Sequence, residues 1–223
     1  MTTVRRTRPT PAVRLGAVSY DQYVRLRNAS ENRGLRMAYH DGILEIMSPE
    51  YLHDRGAFSL SLLIINYCYA FGVDFQGAGT TTFRKGLAGG LKGTGKEPDA
   101  SFYFRADAAL VRNKESLDLA VNPPPSLWVE VDKWGRSAAK LPLYAGLGVP
   151  EVWRYRARKQ TLWIGTLDGP SYAEAPTSLA LPGLTPAVIL EALAGAAARN
   201  ATEWKAWLDG ELFPRIRADA APG

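Results

Sequence analysis

The stretch LWVEVD, residues 127–132, predicts a short strand in which apolar and acidic side chains alternate. Residues two apart in a strand point to the same face, so Glu130 and Asp132 lie on one side while Val129 and Val131 pack on the other. A predicted helix over residues 138–147 follows this strand and precedes another strand. Because strands and helices alternate along the chain, the sequence predicts one α/β or α+β domain with a mixed sheet flanked by helices.

Turn and cap signals place the elements around this strand. Ser19 and Gln22 fit a capping box for a first helix, and Asp41-Gly42 predicts a hairpin turn. Pro49 suits the first turn of a long apolar helix, residues 50–71. The remaining predicted strands are residues 35–39, 43–47, 73–76, 80–84, 99–104, 151–156 and 161–167, with a further strand at Tyr172 after the Asp168-Gly169 turn.

The chain divides into three predicted parts: a flexible basic arm at 1–15, a main domain at 16–185, and a helical C-terminal extension at 186–223 that packs on the same domain. Trp204 and Trp207 are the expected anchors of that extension, with a dimer face as the alternative. The arm's arginines predict a solvated tail, with phosphate contact as the alternative. Residues 85–97 hold five glycines and predict a mobile surface hairpin, with substrate cover as the alternative.

Composition excludes several classes of protein and site. The 223 residues are 46% apolar and 22% charged, which excludes a disordered or collagen-like chain. The single cysteine, Cys68, excludes an intrachain disulfide and a multi-cysteine zinc site, and only His40 and His53 are histidines. Any metal is therefore expected to bind oxygen ligands, as Mg²⁺ and Mn²⁺ do. No signal peptide or membrane-spanning segment is apparent, so we expect a cytoplasmic protein.

Acidic residues on two strands form the candidate chemical site. Asp99 opens one strand, and Glu130 and Asp132 share a face of another. If these strands are neighbours, the carboxylates converge, and a divalent cation would relieve their repulsion. Lys140, at the start of the following helix, can reach the same patch and either orient a water or stabilise charge on a phosphate. The alternative is a pair of solvated carboxylates at a sheet rim.

Several motifs, in order, resemble the Uma2 family of restriction endonucleases, which belongs to the PD-(D/E)XK nuclease superfamily. The resemblance covers roughly residues 19–185. It is carried by LRMAY at 35–39, LEIMSP at 44–49 with His53, Phe83, EPD at 97–99, Pro124-Pro125, VEVD at 129–132, KLP at 140–142, Tyr144 and GVPEVWRY at 148–155.

The resemblance implies a restriction-endonuclease-like core of four or five mixed strands between helices, and it implies site roles. Asp99 and Glu130 match the two acidic motif residues and would bind Mg²⁺ or Mn²⁺. The superfamily lysine position holds Asp132 here, so Lys140 is the candidate replacement, with Lys133 a nearby alternative. Asp132 then has a supporting role or simply pairs with a neighbouring cation.

Two N-terminal residues complete the set that the resemblance implies. Glu45 would add to the metal ligands, directly or through water, with an exposed strand residue as the alternative. His53 would orient a carboxylate or a phosphate, with a surface or helix-cap residue as the alternative. Trp153 and Tyr155 are expected in the core rather than stacked on bases.

Three functions are consistent with these observations. The first is a metal-dependent endonuclease that hydrolyses DNA phosphodiester bonds, expected as a homodimer. The second is a nucleic-acid-binding module that has lost catalysis, since the lysine is displaced. The third is a regulatory domain that acts through a partner.

Overall fold

The computed structural model describes residues 13–32, 34–47, 51–86, 92–132 and 136–219, except for the side chains of Met47, residues 51–53 and Arg136. The described residues form eleven strands and seven α-helices. The strands are β1 (Val13–Leu15), β2 (Arg36–His40), β3 (Ile43–Met47), β4 (Phe75–Gly77), β5 (Phe83–Gly86), β6 (Gly93–Lys96), β7 (Ala100–Phe104), β8 (Leu127–Asp132), β9 (Glu151–Arg156), β10 (Thr161–Asp168) and β11 (Ser171–Glu174). The helices are α1 (Tyr20–Asn28), α2 (Tyr51–Phe71), α3 (Ala106–Val111), α4 (Leu141–Leu147), α5 (Pro186–Ala198), α6 (Ala201–Trp207) and α7 (Phe213–Asp219).

The strands form two sheets. The small sheet has the order β1-β3-β2-β6-β5 and is antiparallel throughout. The large sheet has the order β11-β10-β9-β8-β7-β4 and is mixed, because β8 and β9 are parallel while its other pairs are antiparallel. The predicted α+β class with a mixed, helix-flanked sheet is confirmed. The large sheet has six strands, more than the four or five expected, and a second sheet was not predicted.

Both faces of β8 are covered, as the alternation of its side chains requires. Val129 and Val131 belong to the main core, which α2, α5 and the C-terminal helices complete through residues such as Leu60, Ile189 and Trp204. All six side chains of β8 are buried. On the opposite face the strand meets a second cluster, so the acidic residues of β8 lie inside the protein and not at a solvated rim.

The second cluster joins the two sheets. Ala38 and Phe83 from the small sheet pack with Trp128 from the large sheet and with Tyr144 and Leu147 of α4. Helix α4 therefore lies between the sheets, at the place where the predicted site residues are found. It begins at Leu141, three residues later than predicted, directly after a 3-10 turn over Arg136–Lys140.

Local signals explain several element boundaries. The Ser19 hydroxyl and the Gln22 side chain form the predicted capping box of α1. Asp41 and Gly42 both have positive φ, 42° and 87°, as a two-residue hairpin turn requires. Helix α4 ends at Gly148 with a φ of 79°, a left-handed conformation that favours glycine.

The structure differs from the sequence prediction in two segments. Residues 13–15, predicted within the flexible arm, form β1 and pair with β3. The segment at 85–97, predicted as a mobile surface hairpin, contains the end of β5 and the whole of β6, which form an antiparallel pair in the small sheet, with most of β6 buried. Within this segment Gly95 is required by packing, because a Cβ there would lie 2.4 Å from the Tyr23 hydroxyl oxygen.

Other predictions fall on residues outside the described part of the chain. These are the arm up to residue 12, Ser48-Pro49, residue 50 and Lys133. Within the described part, no helix combines the length and apolar character that a bilayer-crossing segment needs.

Glu151, at the start of β9, binds a turn on the far side of the large sheet. This buried carboxylate accepts hydrogen bonds from the Trp153 indole at 2.6 Å, the Ser178 hydroxyl at 2.7 Å, and the backbone amides of Leu179 and Ala180 at 2.7 and 3.0 Å. Hydrogen bonds to an ionised acceptor are stronger than neutral ones. This residue of the GVPEVW motif therefore connects the sheet to the turn that precedes α5.

Replacing Gly95 by alanine is expected to destabilise the protein by about 1–3 kcal/mol, since the added methyl group would overlap Tyr23 in a packed core. Urea unfolding followed by tryptophan fluorescence measures the change. Gly16→Ala is the matched control, because a Cβ at Gly16 meets no atom within 4 Å. Equal stability of the two variants would contradict the packing of β6 against α1.

Cys68 is expected to be unreactive in the folded protein. It is 1% exposed on α2, and burial raises the pKa of its thiol to about 12. Because the thiolate is the reactive form, a thiol reagent at pH 8 should label the chain only after denaturant is added. Cys68→Ala gives the background signal. Rapid labelling of the folded wild type would show that α2 is not packed as described.

Candidate active site

Asp99 and Glu130 are brought together by the pairing of β7 with β8. The Asp99 amide donates to the Val129 carbonyl at 3.1 Å, and its Oδ2 accepts from the Val131 amide at 2.7 Å. These two bonds hold Asp99 against the residues on either side of Glu130. Both carboxylates are buried, so their charges depend on nearby partners rather than on water.

Each of these carboxylates is paired with a cation from the small sheet. The Arg36 guanidinium on β2 donates to Asp99 Oδ1. The Lys96 ammonium at the end of β6 lies 2.6 Å from Glu130 Oε1 and also donates to the Glu97 carbonyl at 2.8 Å. The candidate site is therefore located between the two sheets.

A third ion pair crosses the same junction. Lys140, the residue before α4, has its Nζ 3.4 Å from Oε2 of Glu45 on β3. Burial lowers the pKa of Lys140, and the charge of Lys96 lowers it further, whereas Glu130 and Glu45 act in the opposite direction. Lys140 thus lies at the same junction, and the charge of Glu130 contributes to its pKa.

Asp132 binds the turn that leads to Lys140. Its Oδ2 accepts from the amide of Ser137 at 2.6 Å and from the hydroxyl of Ser137 at 2.9 Å. The Ser137 hydroxyl accepts in turn from Arg154 Nε at 2.9 Å. Through these hydrogen bonds, Asp132 fixes the start of the segment that carries Lys140.

Aromatic residues line the same space. The Trp128 indole donates to Glu130 Oε1, and the rings of Trp128 and Tyr144 lie 5.6 and 5.8 Å from Lys96 Nζ. Burial raises the pKa of the Tyr144 hydroxyl, and the charges of Glu130 and Asp99 raise it further. This buried hydroxyl has no hydrogen-bond partner of ordinary geometry among the described residues.

The donor set for a metal consists of two carboxylates. Within the described ranges, no three His, Cys, Asp or Glu side chains lie close enough together to hold a metal ion. Asp99 and Glu130 nevertheless fit Mg²⁺ or Mn²⁺, because Mg²⁺ usually binds one or two carboxylates and completes its shell with water and substrate phosphate. The Tyr144 hydroxyl, buried beside them, offers a polar partner to a bound water.

The structure thus brings together some of the predicted site residues and not others. Asp99 and Glu130 lie side by side, with Lys140 near Glu130. Glu45 is paired with Lys140 and does not form a three-ligand cluster with Asp99 and Glu130. His53 lies in the first turn of α2, and its side chain is outside the described part of the structure.

Four residues at this site were not among the predicted ones: Arg36, Lys96, Tyr144 and Arg154. Lys96 was assigned to a surface hairpin, yet its side chain is only 5% exposed. The strand alternation across Thr94 and Lys96 is a weak signal, since the glycines between them lower the strand propensity. Arg36 lies 63 residues from its partner, a pairing that local pattern cannot reveal.

The chain is similar to one protein family and to known structures. The Uma2 family, described as "Putative restriction endonuclease", matches residues 20–198. None of the curated proteins matches the chain. The crystal structure of "a putative nuclease belonging to DUF820" from Anabaena variabilis is similar with a TM-score of 0.47 and 15% identity, over 73% of this chain and 87% of that chain.

The family match includes every residue of the site, from Arg36 to Arg154. It also covers most of the 223 residues, including both sheets apart from β1. The chain belongs to the Uma2 family of restriction-endonuclease-like proteins.

Proposed function

We propose that this chain is a Mg²⁺- or Mn²⁺-dependent endonuclease that hydrolyses phosphodiester bonds of DNA. The observation that carries the proposal is the pair of buried carboxylates, Asp99 and Glu130, held next to each other and surrounded by Arg36, Lys96 and Lys140. Membership of the Uma2 family supports a nuclease and a nucleic-acid substrate.

Asp99 and Glu130 would hold the metal ion. When bound, a divalent ion polarises a phosphoryl oxygen and lowers the pKa of an attacking water. Cationic side chains of the protein would stabilise the charge that develops on the phosphate. Arg36, Lys96 and Lys140 provide positive charge where a phosphate gains negative charge, in a site that largely excludes water.

Lys140 is the proposed catalytic lysine, and Glu45 is a positioning residue that acts through it. The ion pair with Glu45 fixes the ammonium at the junction, while Asp132 and Ser137 fix the turn that precedes it. A lysine held in this way can orient the attacking water or stabilise the developing phosphate charge. His53 stays a predicted supporting residue.

Two further properties are part of the proposal. A homodimer would let two sites act on two strands, and light scattering across a concentration series measures it. A cytoplasmic location, as expected from the sequence, is the second of these properties.

The second candidate function is DNA binding without hydrolysis. It is favoured by the ion pairs of Arg36 with Asp99 and of Lys96 with Glu130, which neutralise both carboxylates without a metal. Such a module would bind DNA with a strong dependence on salt but would not bind Mn²⁺ at Glu130 under any condition.

Removing the charge of either carboxylate that is proposed to bind the metal is expected to abolish both metal binding and cleavage. Asp99→Asn and Glu130→Gln keep the side-chain shape and remove the charge, so nicking of plasmid DNA should fall by about 100-fold or more. Calorimetry with Mn²⁺, in the presence of a hydrolysis-resistant DNA duplex, should show the loss of the same site. Circular dichroism checks that each variant is folded.

Glu191→Gln is the matched control, because Glu191 is an exposed acid on α5 that pairs with Arg215. It should retain wild-type nicking and Mn²⁺ binding. Wild-type nicking by a folded Glu130→Gln protein would refute the proposed active site.

Lys140 is expected to affect the rate of DNA cleavage and not to be needed for metal binding. Lys140→Ala should lower the nicking rate by about 10²–10³-fold, since one charge-stabilising donor is lost. Its Mn²⁺ affinity should stay the same or rise, because a nearby positive charge has been removed. Single-turnover nicking and calorimetry on the same preparation separate the two effects.

Lys140→Arg keeps the charge and should recover part of the rate. Glu45→Gln should cause a smaller loss, of about tenfold, because it removes only the partner that positions Lys140. If Lys140→Ala nicked DNA at the wild-type rate, the catalytic lysine would have to be sought elsewhere in the site.

A further inference from the structure

Two cations neutralise the two carboxylates that are proposed to bind the metal. Arg36 pairs with Asp99, and Lys96 pairs with Glu130. Arg36 also lies 3.8 Å from a carboxylate oxygen of Asp54 on α2. At the two proposed metal ligands themselves, two cations of the small sheet are paired with two acids. A divalent ion carries the same total charge as this pair of side chains.

Lys96 is held tightly in this position. Its side chain is 5% exposed, its ammonium lies 2.6 Å from Glu130 Oε1 and 2.8 Å from the Glu97 carbonyl, and two aromatic rings surround it. An ammonium with so little contact with water depends on these partners for its stability. The same holds for Glu130, which would otherwise be a buried and unpaired charge.

A metal ion cannot simply be added to this arrangement. Its double positive charge would stand beside the buried Lys96 and the partly exposed Arg36, and repulsion between cations is strong where the dielectric constant is low. Metal binding is therefore favourable only when these cations move to another anion. The phosphate groups of a nucleic acid are the anions that the proposed reaction brings to this site.

We propose that Lys96 and Arg36 are built-in counterions of Glu130 and Asp99. When the phosphate groups of a nucleic acid bind, the two cations pair with these phosphates instead. The two carboxylates then become available to the metal. The proposal rests on the proposed function and specifies its regulation. Substrate and metal then bind with positive coupling, because each removes an obstacle to the binding of the other. Metal binding without nucleic acid is weak.

The experiment measures Mn²⁺ affinity by the electron paramagnetic resonance signal of free Mn²⁺, with and without a short DNA duplex that contains hydrolysis-resistant phosphorothioate linkages. In the wild type, the duplex should tighten Mn²⁺ binding by at least about tenfold. A duplex with uncharged methylphosphonate linkages should not. This comparison uses the unmodified protein, so it does not depend on the folding of any variant.

Lys96→Met should bind Mn²⁺ about tenfold more tightly than the wild type in the absence of DNA, and the effect of the duplex should shrink. Lys96→Arg keeps the charge and should behave like the wild type. Lys114→Met is the matched control, since Lys114 is an exposed lysine outside the site. Thermal unfolding with and without Mn²⁺ is the second readout, with the larger rise in Tm expected for Lys96→Met.

The outcomes separate this inference from the proposed function. Equal Mn²⁺ affinity with and without the duplex, unchanged in Lys96→Met, would overturn the counterion role and leave the metal site in place. No Mn²⁺ binding by the wild type or by Lys96→Met, with or without the duplex, would overturn both the metal site and the counterion role. Coupling in the wild type that is reduced in Lys96→Met would support both.

Discussion

Three ion pairs between the two sheets determine much of this structure: Arg36 with Asp99, Lys96 with Glu130, and Glu45 with Lys140. In each pair one partner comes from the small sheet and the other from the large sheet or the turn after it. Charges removed from water are tolerated only when they are paired and hydrogen-bonded. The relative position of the sheets is therefore the condition for the ionised site, and the site in turn helps to fix that position.

Apolar packing supports the same junction. Helix α4 packs Tyr144 and Leu147 into one cluster with Trp128 of the large sheet and Phe83 of the small sheet. Trp128 has two tasks, since its ring packs in this cluster while its indole NH donates to Glu130. Because packing and hydrogen bonding meet in one residue, the orientation of the Glu130 carboxylate is fixed by the core as well as by Lys96.

Much of the fold could be predicted from the sequence, since its signals are local. The capping box at Ser19, the Asp41-Gly42 turn and the strand of residues 127–132 each depend on neighbours within a few residues. The sequence, partly through the resemblance to the Uma2 family, also predicted that the strands of Asp99 and Glu130 are neighbours, and β7 and β8 are paired.

The counterions could not be predicted in this way. Lys96 follows a glycine-rich segment that resembles a loop, and the reason for Gly95 is Tyr23, more than 70 residues earlier. Arg36 and Asp99 lie together because β2 pairs with β6, although the long helix α2 separates these two strands in the sequence. The pairing of Glu45 with Lys140 was not predicted either, and β3, which carries Glu45, lies on the far side of β2 from β6. Pairings of this kind depend on tertiary structure and have no local sequence signature.

The order of the strands has a consequence for how the protein is made. The central pair of the small sheet joins residues near position 38 to residues near position 96, and the parallel pair of the large sheet needs β9, beyond residue 150. Contacts between such distant segments form slowly, because the entropy of closing long loops must first be overcome. A ribosome-bound chain that ends before β9 lacks the strand that completes the pairing of β8. The proposed cleavage activity would then arise only after most of the polypeptide has been synthesised.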